Sequence, residues 1–166
     1  SDDQANFHGM VQNIDDNVGR MLKRLNELNL TENTIVIFMT DNGTAGGDRA
    51  NMRDQKGSEY EGGHRVPCFI RWPGGNLANG RDVAMVTAHF DLLPTLLDLC
   101  GVPAKDDASF DGISLRPWLE DPQAQEPGRS IIVDSQRIEH PEKWRKSAVL
   151  KKNWRLVNGK ELYDVQ

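Results

Sequence analysis

Two adjacent side chains, Asp41 and Asn42, follow a run of apolar and β-branched residues and offer oxygen ligands. A carboxylate and an amide oxygen suit hard cations such as Ca²⁺ or Mg²⁺. Such cations take about six oxygens or more, so further ligands must come from elsewhere. Asp-Asn-Gly is also a common turn sequence, and on these residues alone that alternative stays open.

Lys56 follows in the same loop and adds a positive charge. A lysine beside a divalent cation is typical of a site for an anionic substrate, such as phosphate or sulfate. The alternative is a solvated surface charge, which most lysines are. His64 could be a base, a metal ligand or a surface residue, and a surface or supporting role is favoured; for the sequence around it, 61–65, the alternative to a functional role is a polar turn.

The sequence contains no recognisable nucleophile motif. Neither Cys68 nor Cys100 has the neighbours of an activated thiol, and no Gly-x-Ser-x-Gly elbow occurs. The other histidines are scattered singly, without metal-ligand spacing. The residues therefore indicate part of a cation and anion site.

The elements around these residues predict an α/β arrangement. Apolar residues at spacings of three and four predict a helix over 5–28, in which Gly19 would mark a close helix–sheet contact. The apolar run 34–39 is typical of a strand buried on both faces, as in a parallel sheet. Ligands of such sheets bind at the carboxyl ends of strands, which is where Asp41 lies.

The segment 41–64 is polar, contains six glycines and has no apolar periodicity. Loops of this length inside a compact domain are generally functional or disordered. We favour a functional loop, because it begins at one strand end and runs into the next strand.

Further elements follow the loop. The pattern predicts a strand over 66–72, a short strand over 83–87, a heavily buried helix over 92–100 and a short helix over 114–119. Asp91 would cap the helix at 92–100, and Gly101 would end it. Residues 121–129 suit a linker. Beyond the linker, short strands at 130–134, 147–150, 153–157 and 161–163, with Asn158-Gly159 as a hairpin turn, predict an antiparallel sheet.

Composition gives broad bounds. The chain has 166 residues, of which 37% are apolar and 27% charged, and a net charge of −5. This argues weakly against nucleic-acid binding, and no apolar run is long enough to span a membrane. No signal peptide opens the chain, which leaves a removed signal as an open alternative. The two cysteines lie in apolar surroundings and are interpreted as buried free thiols.

Several segments together resemble the sulfatase family of the alkaline-phosphatase-like superfamily. Their order and spacing agree over nearly the whole chain, and the run with Lys-Gly-Ser, Tyr-Glu-Gly-Gly and Arg-Val-Pro is highly specific. The matching segments are 39–43, 56–67, 91–97, Gly101, 111–115 and 161–164.

The resemblance implies roles for the candidate residues. Asp41 and Asn42 look like two Ca²⁺ ligands, with Mg²⁺ as the alternative ion, and Lys56 looks like the lysine that contacts the substrate sulfate. The family hydrolyses sulfate esters of aryl compounds or carbohydrates with a formylglycine made in a Cys/Ser-x-Pro-x-Arg motif. That motif is absent from these 166 residues, so we expect it in a missing N-terminal half and expect this fragment alone to be inactive.

The resemblance also implies a fold and a location. We expect part of a three-layer α/β/α sandwich over 1–120 and an incomplete antiparallel β subdomain over 128–166. Family habit suggests a secreted, periplasmic or lysosomal protein that acts on a sulfated small molecule or glycan. The alternatives are a phosphate- or phosphonate-ester hydrolase of the same superfamily and a non-catalytic binder of anionic glycans. Asn42 disfavours the hydrolase alternative, because those enzymes usually carry histidine there as a transition-metal ligand.

Overall fold

A computed structural model describes residues 2–78, 80–121 and 123–165. In chain order, the elements are α1 (Asp2–Glu27), β1 (Val36–Met39), α2 (Glu61–His64), β2 (Cys68–Arg71), α3 (Leu92–Leu99), α4 (Arg116–Glu120), β3 (Ile131–Asp134), β4 (Ser147–Lys151), β5 (Trp154–Val157) and β6 (Glu161–Asp164), with short 3₁₀ turns at Thr31–Asn33 and His89–Asp91.

The described residues divide into two compact units. The first comprises Ser1–Asn76 and Asp134–Lys146, and the second comprises Leu77–Val133 and Ser147–Gln166. The predicted division into domains at 1–120 and 128–166 stays a prediction.

In the first unit, β1 and β2 form an antiparallel pair. Val36 lies opposite Arg71, and Met39 lies opposite Cys68. The sequence predicts a strand buried on both faces, as in a parallel sheet; among the described residues β1 is half-buried and its partner is antiparallel, since an apolar run does not specify strand direction. The intervening loop, residues 40–67, is long enough to return the chain in either direction.

Helix α1 confirms the amphipathic pattern, but none of its residues is buried. Gly19 has nothing within 4 Å of the position that a Cβ would take, so the expected close helix–sheet contact at this residue was wrong. The described helices include none that is long and apolar enough to cross a membrane.

The strands β3 to β6, which belong to the second unit except for Asp134 at the end of β3, form a four-stranded sheet in sequence order. The β4–β5 and β5–β6 hairpins are antiparallel, as predicted. Asn158 (φ 53°) and Gly159 (φ 65°) take the left-handed conformation that an Asn-Gly turn favours. One face of the sheet carries Ala148, Leu150 and Val157, which are buried, so alternation along these strands supplies the core.

Helix α3 ends as predicted. Gly101 (φ 63°) follows the last turn. Its N–H donates to the Asp98 carbonyl at 3.2 Å, and the Val102 N–H donates to the Leu97 carbonyl at 2.8 Å. This pair of bonds is a Schellman motif, which satisfies carbonyls at the helix end. The expected heavy burial of the helix holds only for part of it, since Thr95 and Leu99 are buried whereas Leu93 is 56% exposed.

Asp91 precedes α3, but its side chain makes no capping bond to that helix, so the predicted cap was wrong. The carboxylate instead accepts the N–H of Ala88 at 2.8 Å and that of Ile113 at 3.0 Å. Arg129 adds two bonds to the same carboxylate, at 2.7 and 2.5 Å. Asp91 is completely buried, and it joins three chain segments of the second unit.

Two other predictions were wrong. Residues 83–87 form no strand, because the Met85 N–H donates to the Val83 carbonyl at 3.0 Å and turns the chain there. Cys68 and Cys100 are free thiols as predicted, yet both are exposed in this structure. Apolar neighbours in sequence did not predict thiol burial, because Cys100 lies at the end of α3 and Cys68 is followed on β2 by Phe69, which is itself 66% exposed.

Candidate functional site

Asp41 and Asn42 lie just after the end of β1, at the start of the long loop. Asp41 is exposed and Asn42 is half-buried. The Asn42 amide donates through Nδ2 to the Asp41 carboxylate oxygen Oδ1 at 2.9 Å. The two side chains therefore face each other and form one polar group at the end of the strand.

A close approach between backbone segments holds this strand end in place. The Gly43 N–H donates to the Gly63 carbonyl at 3.0 Å. A Cβ on Gly43 would lie 1.8 Å from the Gly62 carbonyl oxygen, and one on Gly62 would lie 2.2 Å from the Asp54 carbonyl oxygen. Glycine is required at both positions because any side chain would push the two segments apart.

Lys56 is attached to the same strand end through its backbone. Its N–H donates to the Thr44 carbonyl at 3.0 Å, and its side chain is exposed. Two backbone bonds thus join the segment with Asp41, Asn42 and Gly43 to the loop that carries Lys56 and Gly63. The structure brings the three predicted site residues onto adjoining segments of the first unit.

The sequence 61–65 forms the short helix α2 and not only a turn. Glu61 is central to it: Oε1 lies 3.3 Å from His64 Nε2, and Oε2 lies 3.3 Å from Arg65 Nη1. The side chain of His64 is 16% exposed, which fits a supporting residue better than a surface one. The spacings of three and four residues between Glu61 and its partners were a signal for this one-turn helix.

A second supporting contact was not predicted. The Arg53 guanidinium lies over the Tyr60 ring, 3.8 Å from its centroid. The Arg53 carbonyl accepts the Gly62 N–H at 2.8 Å. The contacts of Arg53 therefore connect the chain before Lys56 with the chain after it. No local spacing in the sequence indicates the stacking of Arg53 on Tyr60.

Helix α1 also contacts the loop. Gly47 (φ 82°) lies under the Phe7 ring, where a Cβ would approach three ring carbons within 2.8 to 2.9 Å. Phe7 is half-buried, while its neighbours on the first turns of α1 are exposed. The aromatic ring thus packs against a stretch of loop backbone that only glycine leaves open.

The donor set fits a hard cation in part. Rotating the Asn42 amide by half a turn exchanges its oxygen and nitrogen, and would present an amide oxygen beside the Asp41 carboxylate. Two such oxygens match Ca²⁺ or Mg²⁺ in chemistry but not in number. Across residues 2–78, 80–121 and 123–165, no group of three or more His, Cys, Asp or Glu side chains is placed to hold a metal.

Both segments of the candidate site lie within a stretch that matches a known protein family. The family described as Sulfatase matches residues 3–102. The chain belongs to the sulfatase family. This confirms the resemblance carried by the motifs around Asp41 and Lys56.

Individual sulfatases are identical to this chain at somewhat more than a third of the aligned positions. It is 37% identical to the steryl-sulfatase of Mus musculus over 78% of this chain and 20% of that protein. It is 38% identical to the arylsulfatase of Clostridium perfringens (strain 13 / Type A) over 71% of this chain and 24% of that protein. The sulfatase chain thus spans about a fifth to a quarter of these relatives.

The fold is similarly matched by a solved structure. Ps i-CgsB in complex with k-i-k-neocarrahexaose superimposes with a TM-score of 0.79 and 27% identity, over 99% of this chain and 37% of that chain. The predicted fold class, part of an alkaline-phosphatase-like α/β/α sandwich with a small antiparallel sheet, is thereby confirmed.

Proposed function

We propose that this chain supplies the cation- and sulfate-binding part of a sulfate-ester hydrolase. In this proposal Asp41 and Asn42 are Ca²⁺ ligands, and Lys56 donates to an oxygen of the substrate sulfate. The observation that carries it is the pair of backbone bonds, Gly43 to Gly63 and Lys56 to Thr44, which joins the two segments. Family membership supports the reaction class.

The chemistry of ester cleavage explains why positive charge belongs at this position. When a sulfate ester is hydrolysed, negative charge grows on the bridging oxygen and on the equatorial oxygens. The Lys56 ammonium, attached at a fixed point of the loop backbone, stabilises that charge. A bound Ca²⁺ would supply further positive charge at the same oxygens.

The remaining groups belong to the proposal and not to these 166 residues. We place the formylglycine nucleophile, made from a Cys/Ser-x-Pro-x-Arg motif, and the other cation ligands in an N-terminal part of the same protein. The substrate is a sulfated small molecule or glycan. Its leaving group contacts residues outside the described chain.

The test compares Lys56→Ala with Lys105→Ala in the protein expressed from its complete reading frame. Both lysines are exposed, but Lys105 lies in the second unit. We expect Lys56→Ala to lower kcat/KM for an aryl sulfate by about a hundredfold or more, as for loss of a charge-stabilising donor, and Lys105→Ala to leave it unchanged. Equal activity of both variants would contradict the anion role of Lys56.

Two further measurements separate the alternatives. Isothermal calorimetry of the same protein should detect Ca²⁺ binding that Asp41→Ala abolishes, because the carboxylate is the charged ligand of the pair. Faster hydrolysis of aryl phosphates than of aryl sulfates would instead indicate a phosphate-ester hydrolase. Binding of sulfated glycans without turnover of either ester would indicate a binding protein.

A further inference from the structure

The loop between β3 and β4, residues 135–146 and called the basic loop from this point, differs in charge from the rest of the chain. Four of its twelve residues are lysine or arginine and two are glutamate, whereas the whole chain has a net charge of −5. The loop belongs to the same compact unit as Asp41 and Lys56. Every residue from 137 to 146 is exposed. A positively charged, exposed segment in an otherwise acidic protein favours contact with an anionic ligand.

Hydrogen bonds within the basic loop hold it in one shape. The Ser135 N–H donates to the Lys146 carbonyl at 3.0 Å and closes the base of the loop. Across the middle of the loop, the Gln136 side chain donates through Nε2 to the Glu142 carbonyl at 3.0 Å and accepts the Glu142 N–H at Oε1 at 2.8 Å. These four residues all belong to the loop, which therefore supports its own shape. A charged surface of this kind is stable in water, unlike an apolar face that must be covered.

Trp144 takes a backbone conformation in this loop that a bulky residue rarely adopts. Its φ is 65° and that of Lys146 is 45°, so both residues lie in the left-handed region. Residues other than glycine that are held in this region cluster at active sites and ligand clamps. Trp144 is 43% exposed, and the Lys143 ammonium lies 5.4 Å from its ring centroid. An exposed aromatic ring beside a cation offers an apolar surface and a positive charge to the same ligand.

These two properties match a sulfated sugar. One face of a pyranose ring carries C–H groups that pack against an aromatic ring, and its sulfate oxygens accept hydrogen bonds from an ammonium group. We propose that the basic loop binds a further sugar of the oligosaccharide whose sulfate ester is cleaved, with Trp144 against the ring and Lys143 at a sulfate oxygen. This role rests on the proposed function, and it narrows the substrate class from sulfate esters in general to sulfated oligosaccharides.

Binding of sulfated glycans tests this role without turnover. The protein from its complete reading frame is titrated by isothermal calorimetry with oligosaccharides of heparin, chondroitin sulfate and a sulfated galactan, and the one that binds most tightly is used for the variants. We expect Trp144→Ala to raise its Kd by about tenfold or more, because the stacking surface is lost, and Lys143→Ala to raise it by about threefold. The matched control is Trp154→Ala. Trp154 is also exposed (50%) and next to an arginine in sequence, but it lies in the second unit, and its replacement should leave the Kd unchanged.

A second variant, Trp144→Gly, separates loss of the ring from loss of folding. Glycine adopts a φ of 65° without strain, so this variant should keep the unfolding temperature of the wild type and still lose the affinity. The proposal is overturned if none of the three oligosaccharides binds, if either Trp144 variant binds as the wild type does, or if Trp154→Ala loses as much affinity as Trp144→Ala. Binding that only Lys143→Ala weakens would overturn it in favour of a general anion-binding surface. Lys56→Ala tests the proposed function by turnover of an aryl sulfate, whereas these variants are measured by affinity, so failure of the one is distinguishable from failure of the other.

Discussion

At the scale of single residues, the absence of a β-carbon decides whether the segments that carry Asp41 and Lys56 can lie together. The carbonyl oxygen of Gly62 occupies the position where a Cβ on Gly43 would be. The predicted site is therefore sensitive to residues that cannot contact a ligand. The six glycines of the loop indicated function, but only the structure distinguishes those that are required.

Gly43→Ala should destabilise the protein by about 2 kcal/mol or more, because the new methyl group forces two backbone segments apart. Gly46→Ala is the matched control: it lies in the same loop, without a positive φ and with nothing within 4 Å of its Cβ position. This control should change the free energy of unfolding by about 0.5 kcal/mol or less. Urea denaturation of both variants measures the difference, and equal stabilities would contradict the close approach.

The buried ion pair between Asp91 and Arg129 gives a second prediction. Burial by itself raises the pKa of Asp91, but hydrogen bonds from Arg129, Ala88 and Ile113 outweigh it and hold the pKa below the ordinary value. Arg129→Ala would leave this carboxylate buried without its cation, at a cost of about 3–5 kcal/mol. Thermal or chemical denaturation at neutral pH measures the loss, and retention of wild-type stability would contradict it.

The pH dependence of the same pair follows from the direction of the shift. Since the folded pKa of Asp91 is lower than the unfolded one, its stabilisation is complete above the unfolded pKa of about 3.9 and disappears as pH falls through the folded pKa. Asp91→Asn should remove this part of the acid-dependent loss of stability. Asp107→Asn, at an exposed position, should keep it. Identical acid profiles for the two variants would contradict the assignment.

At the scale of elements, Gly101 at the end of α3 allows the effect of backbone conformation on stability to be measured without a steric clash. Gly101→Ala should cost about 1 kcal/mol, because an L-residue is strained at φ 63° although nothing obstructs its Cβ. Gly128→Ala, which also has open space but no positive φ, should be close to neutral. Thermal unfolding of both variants tests this, and a neutral Gly101→Ala would argue against the Schellman motif.

Local patterns predicted some elements well for physical reasons. The helix α1, the turn at Asn158-Gly159 and the helix end at Gly101 all depend on residues close together in sequence. The direction of β1 relative to β2 and the partners of Asp91 depend on residues far apart, which a single sequence does not reveal. The positions of Asp41 and Asn42 at a strand end were local and predictable, whereas the glycine contacts that join them to the Lys56 loop were not.

At the scale of the whole molecule, the proposed division of the active site between two parts of a protein has a direct consequence. The 166-residue chain alone should hydrolyse no aryl sulfate, because it lacks a formylglycine motif. A colorimetric assay with an excess of aryl sulfate and Ca²⁺ tests this. Turnover by the isolated chain that Asp41→Ala abolishes would contradict the prediction.

The division into two units affects the order in which the chain can fold as it leaves the ribosome. Residues 134–146 belong to the first unit, although the residues just before and just after them belong to the second. A ribosome releases them only after residues 77–133, so the first unit stays unfinished while much of the second is already outside the exit tunnel. Domains usually complete folding in the order in which they emerge. In this chain the first unit keeps that order only after a delay: its last residue is 146, whereas the second unit still needs residues 147–166.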